Sequence, residues 1–222
     1  MKNVSSDKYH NIGQRKCKYL LFFRLSAKMQ IICNKEEKDM EKKVCVFLAD
    51  GFEEIEGLTV VDILRRADIK VEMVSVTGKK EIHGAHNISV QADTLFEEAN
   101  FENAEMLVLP GGMPGTIHLQ EHKGLEALLR KFYGSKRYVA AICAAPTIFG
   151  KLGFLEGRKA TCYPAMEEGL HGADVIRDMV VVDGHVVTSR GMGTAIPFAL
   201  GLVELLAGSE KSEEIRESII YV

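Results

Sequence analysis

The stretch "RYVAAICAAPTIFGKLG", Arg137 to Gly153, decides the fold. Its first half is a short, continuous apolar run without polar alternation, as in a strand buried on both faces of a parallel sheet. Its second half, from Ala145, reads as the helix that follows. Cys143 sits between them, followed by the small residues Ala144 and Ala145. Such a cysteine is either a small residue buried at a strand end or a nucleophile on a tight, strained elbow that needs small neighbours. The local pattern divides the two readings about evenly.

The same strand, loop and helix unit recurs outward from this stretch. "KVCVFLA" is a buried strand from Lys43, and "EIEGLTVVDILRRA" carries Ile55, Leu58, Val61 and Leu64 at helical spacing. "KVEMVSV" is a second strand, and "KEIHGAHNISVQAD" an inserted hairpin. "AEMLVLPGGMPG" runs from a third strand into a glycine-rich loop, and "KGLEALLRKFYGS" is an amphipathic helix closed by Gly134. "MVVVDGHVVTSRG" is a hairpin turning at Asp183-Gly184. "TAIPFALGLVELLAG" is a buried helix, and "SEKSEEIRESIIYV" a capped, charged terminal one. Alternating strands and helices with short connections predict an α/β fold, its mostly parallel sheet covered on both faces. A single domain is expected over residues 40–222. Residues 1–39 mix basic and apolar residues and read as a poorly ordered N-terminal extension, with Met40 a natural start for the folded part.

Composition narrows the functional classes. A net charge of -3 argues against a general nucleic-acid or membrane-surface binder. There is no apolar run of the ~18 residues a spanning helix needs. The cysteines number five, an odd count without a CxxC pair, which speaks against a disulfide framework or a structural zinc site. Reduced thiols in a cytoplasmic protein are expected.

In such sheets function gathers at the carboxyl ends of the strands. Three loops leave those ends: "ADGFEE", "PGGMPG" and "CAAP". The helix after Cys143 would aim free N–H groups and its positive dipole end at the sulfur, lowering the thiol pKa. Gly111 and Gly112 allow close backbone approach. With the amide of Ala144 they could form an oxyanion hole, or they are an ordinary turn. Glu53, Glu54 and Glu56 fall in the first turn of a helix, where a carboxylate gains about 0.3–1 kcal/mol from the dipole. The sharper reading is that one of them is a protonated carboxyl hydrogen-bonded to a thiolate, able to shuttle a proton. His118 and His122 stand four apart on a candidate helix without a third metal ligand, so no metal is expected. His83 and His86 flank the hairpin turn, and His185 lies in the Asp-Gly turn.

Together, "FLADGFEEIEGLTVVDILRRA", "VLPGGMPG", "AAICAAPTIFG" and "TSRGMGTAIPFALGLVELL" resemble the ThiJ/PfpI superfamily, most closely the branch of the Parkinson's-disease-associated protein DJ-one. The resemblance runs from about Lys43 to the C-terminus. It implies a flavodoxin-like three-layer sandwich, normally a homodimer, without cofactor. Cys143 matches the reactive cysteine and Glu56 the acid that hydrogen-bonds it, while Gly112 and Ala144 match the backbone donors. The implied activity is that of a glutathione-independent glyoxalase III or protein deglycase, acting on a small reactive aldehyde or glycated substrate in oxidative-stress defence. The alternatives are a redox sensor or chaperone using oxidation of Cys143, or a role in thiazole monophosphate biosynthesis. Two departures stand out. Ala144 follows the cysteine where the proteases of the superfamily carry histidine, which removes a Cys-His protease. Tyr163 in "TCYPAM" stands where the branch has a pocket histidine; its unperturbed pKa of about 10 makes it a poorer base. His86 falls where the branch has an arginine reaching across the dimer.

Overall fold

The structure, a computed structural model, describes residues 43–222. The expected N-terminal extension and the start at Met40 lie outside the described residues.

Strand β1 (Lys43–Leu48) shows how the sheet is built. Val44, Val46 and Leu48 face one apolar layer, while Cys45, Phe47 and Ala49 face the other. A strand buried on both faces has no polar side to alternate with, which explains its uninterrupted apolar run. Beside β1 lie β2 (Lys70–Ser75) and β6 (Ala104–Leu109), both parallel to it. Next to β6 comes β7 (Tyr138–Ile142), and next to β7 comes β11 (Val186–Ser189), again parallel. The edges are β10 (Val180–Asp183), antiparallel to β11, and the two-residue β5 (Thr94–Leu95). The order is thus β10-β11-β7-β6-β1-β2-β5.

Helix α1 (Glu54–Arg66) covers one face together with α5 (Ala195–Ala207) and α6 (Ser209–Ser218). Helices α2 (Gly115–Glu121), α3 (Lys123–Gly134) and α4 (Pro146–Leu152) cover the other. This is the flavodoxin-like three-layer sandwich. The hairpin is present as β3 (Glu81–His83) and β4 (Ser89–Gln91). A further pair, β8 (Lys159–Ala160) and β9 (Asp174–Val175), is too short to leave a periodic signature.

Four local expectations shift. The buried stripe of α1 runs through Gly57, Val60, Val61, Ile63 and Leu64, while Ile55 is 50% exposed, so the stripe is rotated from the one expected. Helix α3 is not closed by a left-handed Gly134; that conformation falls on Lys136 (φ 59°), and Arg137 N–H then donates to the Phe132 carbonyl. In the β10–β11 hairpin Asp183 is still paired, opposite Val186, and the two-residue loop is Gly184-His185, with Gly184 at φ 62°. Asp183 instead accepts from Arg158 Nη1 at 2.8 Å and from Lys159 N–H at 3.0 Å, tying β8 to the hairpin. Helix α6 has Gly208 at its N-cap and no side-chain cap.

Among the described residues no helix is long and apolar enough to cross a membrane. Phe198 of α5 is fully buried in the layer beneath α1. Phe198→Ala should lower stability by about 3–5 kcal/mol, read from urea unfolding, because the cavity adds to the lost transfer energy.

Candidate active site

Four neighbouring strands, β11, β7, β6 and β1, end on the same edge of the sheet, and each passes a loop over that edge. Their adjacency brings together residues far apart in sequence.

Cys143 directly follows β7 and has φ 65°, a left-handed conformation that a residue with a Cβ seldom adopts. The backbone holds it there from both sides. Cys143 N–H donates to Ser189 O at 3.0 Å, and Cys143 O accepts from Tyr163 N–H at 2.9 Å. Ala145 N–H turns back to Ile142 O at 3.1 Å, and Thr147 Oγ1 donates to Ala144 O at 2.8 Å. The residue is therefore a true elbow, with its side chain projected off the end of the strand.

The three acids of "EEIE" have three different environments. Glu53 is the N-cap of α1; its N–H donates to Gly111 O at 2.9 Å, and its carboxylate lies 3.5 Å from His86 Nδ1. Glu54 is buried and faces the hairpin, where its carboxylate accepts His86 N–H at 2.7 Å and meets His86 Nδ1 at 2.9 Å. Gly84 admits it: a Cβ there would lie 2.2 Å from Glu54 Oε1. Glu56, 1% exposed, is hydrogen-bonded to the Cys143 thiol and accepts Gly111 N–H at 2.9 Å. One acid of the three thus meets the sulfur, and it is the last.

The glycines divide their work. Gly111 orients the acid, and a Cβ on it would meet Cys143 Cβ at 2.6 Å and Glu56 Oε2 at 2.7 Å. Gly112, at φ 89°, turns its amide toward the sulfur, as does Ala144. Those two N–H groups are placed where a charge developing beside the sulfur would be met by preorganised donors. His86 takes its polar contacts from Glu54 and, at 3.5 Å, from Glu53; the Glu54 hydrogen bond raises its pKa. His118 Nδ1 pairs with the Asp50 carbonyl, and His122 Nδ1 accepts Leu125 N–H to cap α3, so each has a local structural task.

The electrostatics reverse one expectation. The thiol is not lowered. Burial, then the charge of Glu56 and its hydrogen bond, push Cys143 up to about 12, outweighing the amides of Ala144 and Gly112. Burial also raises Glu56 to about 7, against the stabilising bonds from Cys143 and Gly111. Two acids in one dry corner thus compete to keep their protons, and the pair loses its first proton near neutrality. The thiol is thus pushed up further than the carboxyl, which leaves Glu56 the group better able to accept a proton from it.

Sequence reasoning missed one contributor. Gly191 follows β11, and a Cβ there would stand 3.9 Å from Cys143 Sγ, 3.9 Å from Glu56 Oε1 and 3.6 Å from Tyr163 Cδ2. The signal was a glycine just past the carboxyl end of a strand, hidden because β11 reads as the second arm of a hairpin.

The profile of the DJ-1/PfpI family matches residues 42–205. Protein DJ-1 homolog B of Arabidopsis thaliana is 40% identical over 181 residues, which is 81% of this chain but 41% of that protein. The chain therefore spans about two-fifths of that relative's length. A deglycase of Pyrococcus abyssi is 34% identical over 74% of this chain and 99% of its own. The solved structure of oxidized Toxoplasma gondii DJ-1 superposes with a TM-score of 0.79 at 33% identity, covering 82% of this chain and 99% of that one.

The raised carboxyl gives two expectations. Alkylation of Cys143 by iodoacetamide, followed by mass spectrometry, should rise as pH passes through about 7, and Glu56→Gln should remove that inflection. A carboxyl raised from 4.5 to about 7 leaves the folded state holding more protons than the unfolded state between those values. Wild-type stability should fall relative to Glu56→Gln as pH rises across that window, read from urea midpoints.

Proposed function

The chain belongs to the DJ-1/PfpI family, and on that premise we propose that it is a glutathione-independent glyoxalase III or protein deglycase. Its substrates would be 2-oxoaldehydes such as methylglyoxal, or their protein adducts, met in oxidative-stress defence in the cytoplasm. The observation that carries this reading is the elbow thiol bonded to a buried carboxyl with two amides at the sulfur. The deglycase name of the Pyrococcus relative supports it.

The chemistry balances with these groups alone. Ionised Glu56 accepts the thiol proton as Sγ bonds to the aldehyde carbon. The carbonyl π electrons move to oxygen, where the Gly112 and Ala144 amides hold the developing charge. Protonation of that oxygen gives a hemithioacetal. Glu56 then moves the proton from the aldehyde carbon to the ketone carbon while the hemithioacetal hydroxyl proton passes to the former ketone oxygen, leaving a thioester beside a new hydroxyl. Water cleaves the thioester, releasing the 2-hydroxy acid and restoring the thiol. The sum is addition of one water to the 2-oxoaldehyde.

A second reading is favoured by the same two amides: they could equally hold the oxygens of a sulfinate made from Cys143 by peroxide. In that reading Cys143 is a redox sensor, with Glu56 donating to the oxidised sulfur.

A homodimer is part of the proposal. Ile55, Ile88 and Ile220 are exposed at 50%, 53% and 84% and line a groove of about 680 Å³ beside α1, away from Cys143. A second copy covering this groove would bury these side chains. Ile88→Asp should shift the chain to monomer in light scattering; a wild type that is monomeric at micromolar concentration overturns the dimer.

The decisive assay is lactate formation from methylglyoxal without metal or glutathione. Cys143→Ser should abolish turnover, and Glu56→Gln should lower kcat by about 10²–10⁴-fold. No turnover by wild type, with clean sulfinate formation under mild peroxide, selects the sensor.

A further inference from the structure

We propose that Gly191 and the ring of Tyr163 form a slot over the Cys143 sulfur that selects 2-oxoaldehydes with a flat, apolar substituent on the ketone carbon. The inference rests on the catalytic reading above and names the substrate class of the same site.

Gly191 is the first element. Its backbone is extended (φ 160°), a conformation that does not demand glycine. What the missing side chain provides is space. The point a Cβ would occupy is 3.9 Å from Cys143 Sγ, 3.9 Å from Glu56 Oε1 and 3.6 Å from the Tyr163 ring. It faces the nucleophile, the proton carrier and an aromatic surface at once. A carbon bonded to the sulfur along that line would collide with a Cβ, so the bare Cα of Gly191 leaves the volume an adduct needs.

Tyr163 is the second. Its N–H donates to Cys143 O, which ties its backbone to the elbow, and its ring edge borders the space beside Gly191. The residue is 49% exposed, and no aromatic ring among the described residues stacks on it. An open aromatic surface beside a nucleophile offers an aryl substituent both stacking and apolar burial. Glyoxal, with no substituent, would leave that surface unused, and methylglyoxal would use a methyl's worth of it. The tyrosine works here as a wall.

The test compares kcat/KM for phenylglyoxal and glyoxal, measured as 2-hydroxy acid formed, in wild type, Tyr163→Ala, Tyr163→Phe and Gly191→Ala. In parallel, the rates of Cys143 alkylation by phenacyl bromide and iodoacetamide are compared, with Cys143→Ser as background; this pair needs no turnover. Wild type should favour the aryl partner about tenfold in both ratios. Tyr163→Ala should lose that preference through KM, and Tyr163→Phe should keep it. Gly191→Ala should slow the phenacyl reagent more than iodoacetamide. Equal ratios in wild type and all variants overturn the slot. If no 2-oxoaldehyde is turned over, the enzyme reading fails, while the alkylation ratio still decides the slot by itself.

Discussion

The bond from Gly111 N–H to Glu56 Oε2, at 2.9 Å, ties the site together. It joins the loop after β6 to the first turn of α1 at a point where both touch Cys143. The geometry leaves almost no slack. A Cβ at Gly111 would meet Cys143 Cβ, Glu56 Oε2 and Ile142 O all within 2.9 Å. Position 111 must therefore present its amide with nothing else attached. That requirement fixes how deeply the acid sits and from which side it reaches the sulfur. Gly112 then turns at φ 89° to send the next amide to the sulfur itself. Two consecutive N–H groups serve the acid and the nucleophile in turn.

The closeness of this packing explains the electrostatics. A helix N-terminus and two amide donors would lower a solvated thiol. Here the same walls that aim the donors also exclude water, and desolvation penalises the thiolate more than the donors reward it. Glu56 adds to the rise because it too is dry and competes for the proton. Burial thus raises both partners, and the thiol more than the carboxyl.

Much of this was legible in the sequence. Uninterrupted apolar runs such as "AEMLVL" and "YVAAI" give parallel strands buried on both faces, and the family motifs single out Cys143 and Glu56. What was not legible has identifiable causes. Ile55 carries helical spacing yet is half exposed, because which side of α1 meets the sheet depends on how the helix is set down. Asp183-Gly184 looked like the turn, but register places the loop one residue later, and register depends on the partner strand. Residue spacing cannot say which of Glu53, Glu54 and Glu56 faces the thiol; Glu54 is diverted by the hairpin through His86 and Gly84. Gly191 escaped because a hairpin strand was not counted among those feeding the site. The sign of the thiol shift escaped because burial is a property of the closed corner, absent from the motif.

The conformation of Cys143 shows how the fold and the chemistry constrain each other. Glycine would occupy φ 65° without strain but has no sulfur to offer. A cysteine there must be held by more contacts than its own turn supplies. Those contacts come from β11 through Ser189 O and from the Tyr163 segment through Tyr163 N–H. The two segments that clamp the elbow are the same two that border the space in front of the sulfur, through Gly191 and the Tyr163 ring. Strain at the elbow and the shape of the space before the sulfur are thus set by one pair of loops. A change that relaxes the elbow must also move the walls of that space.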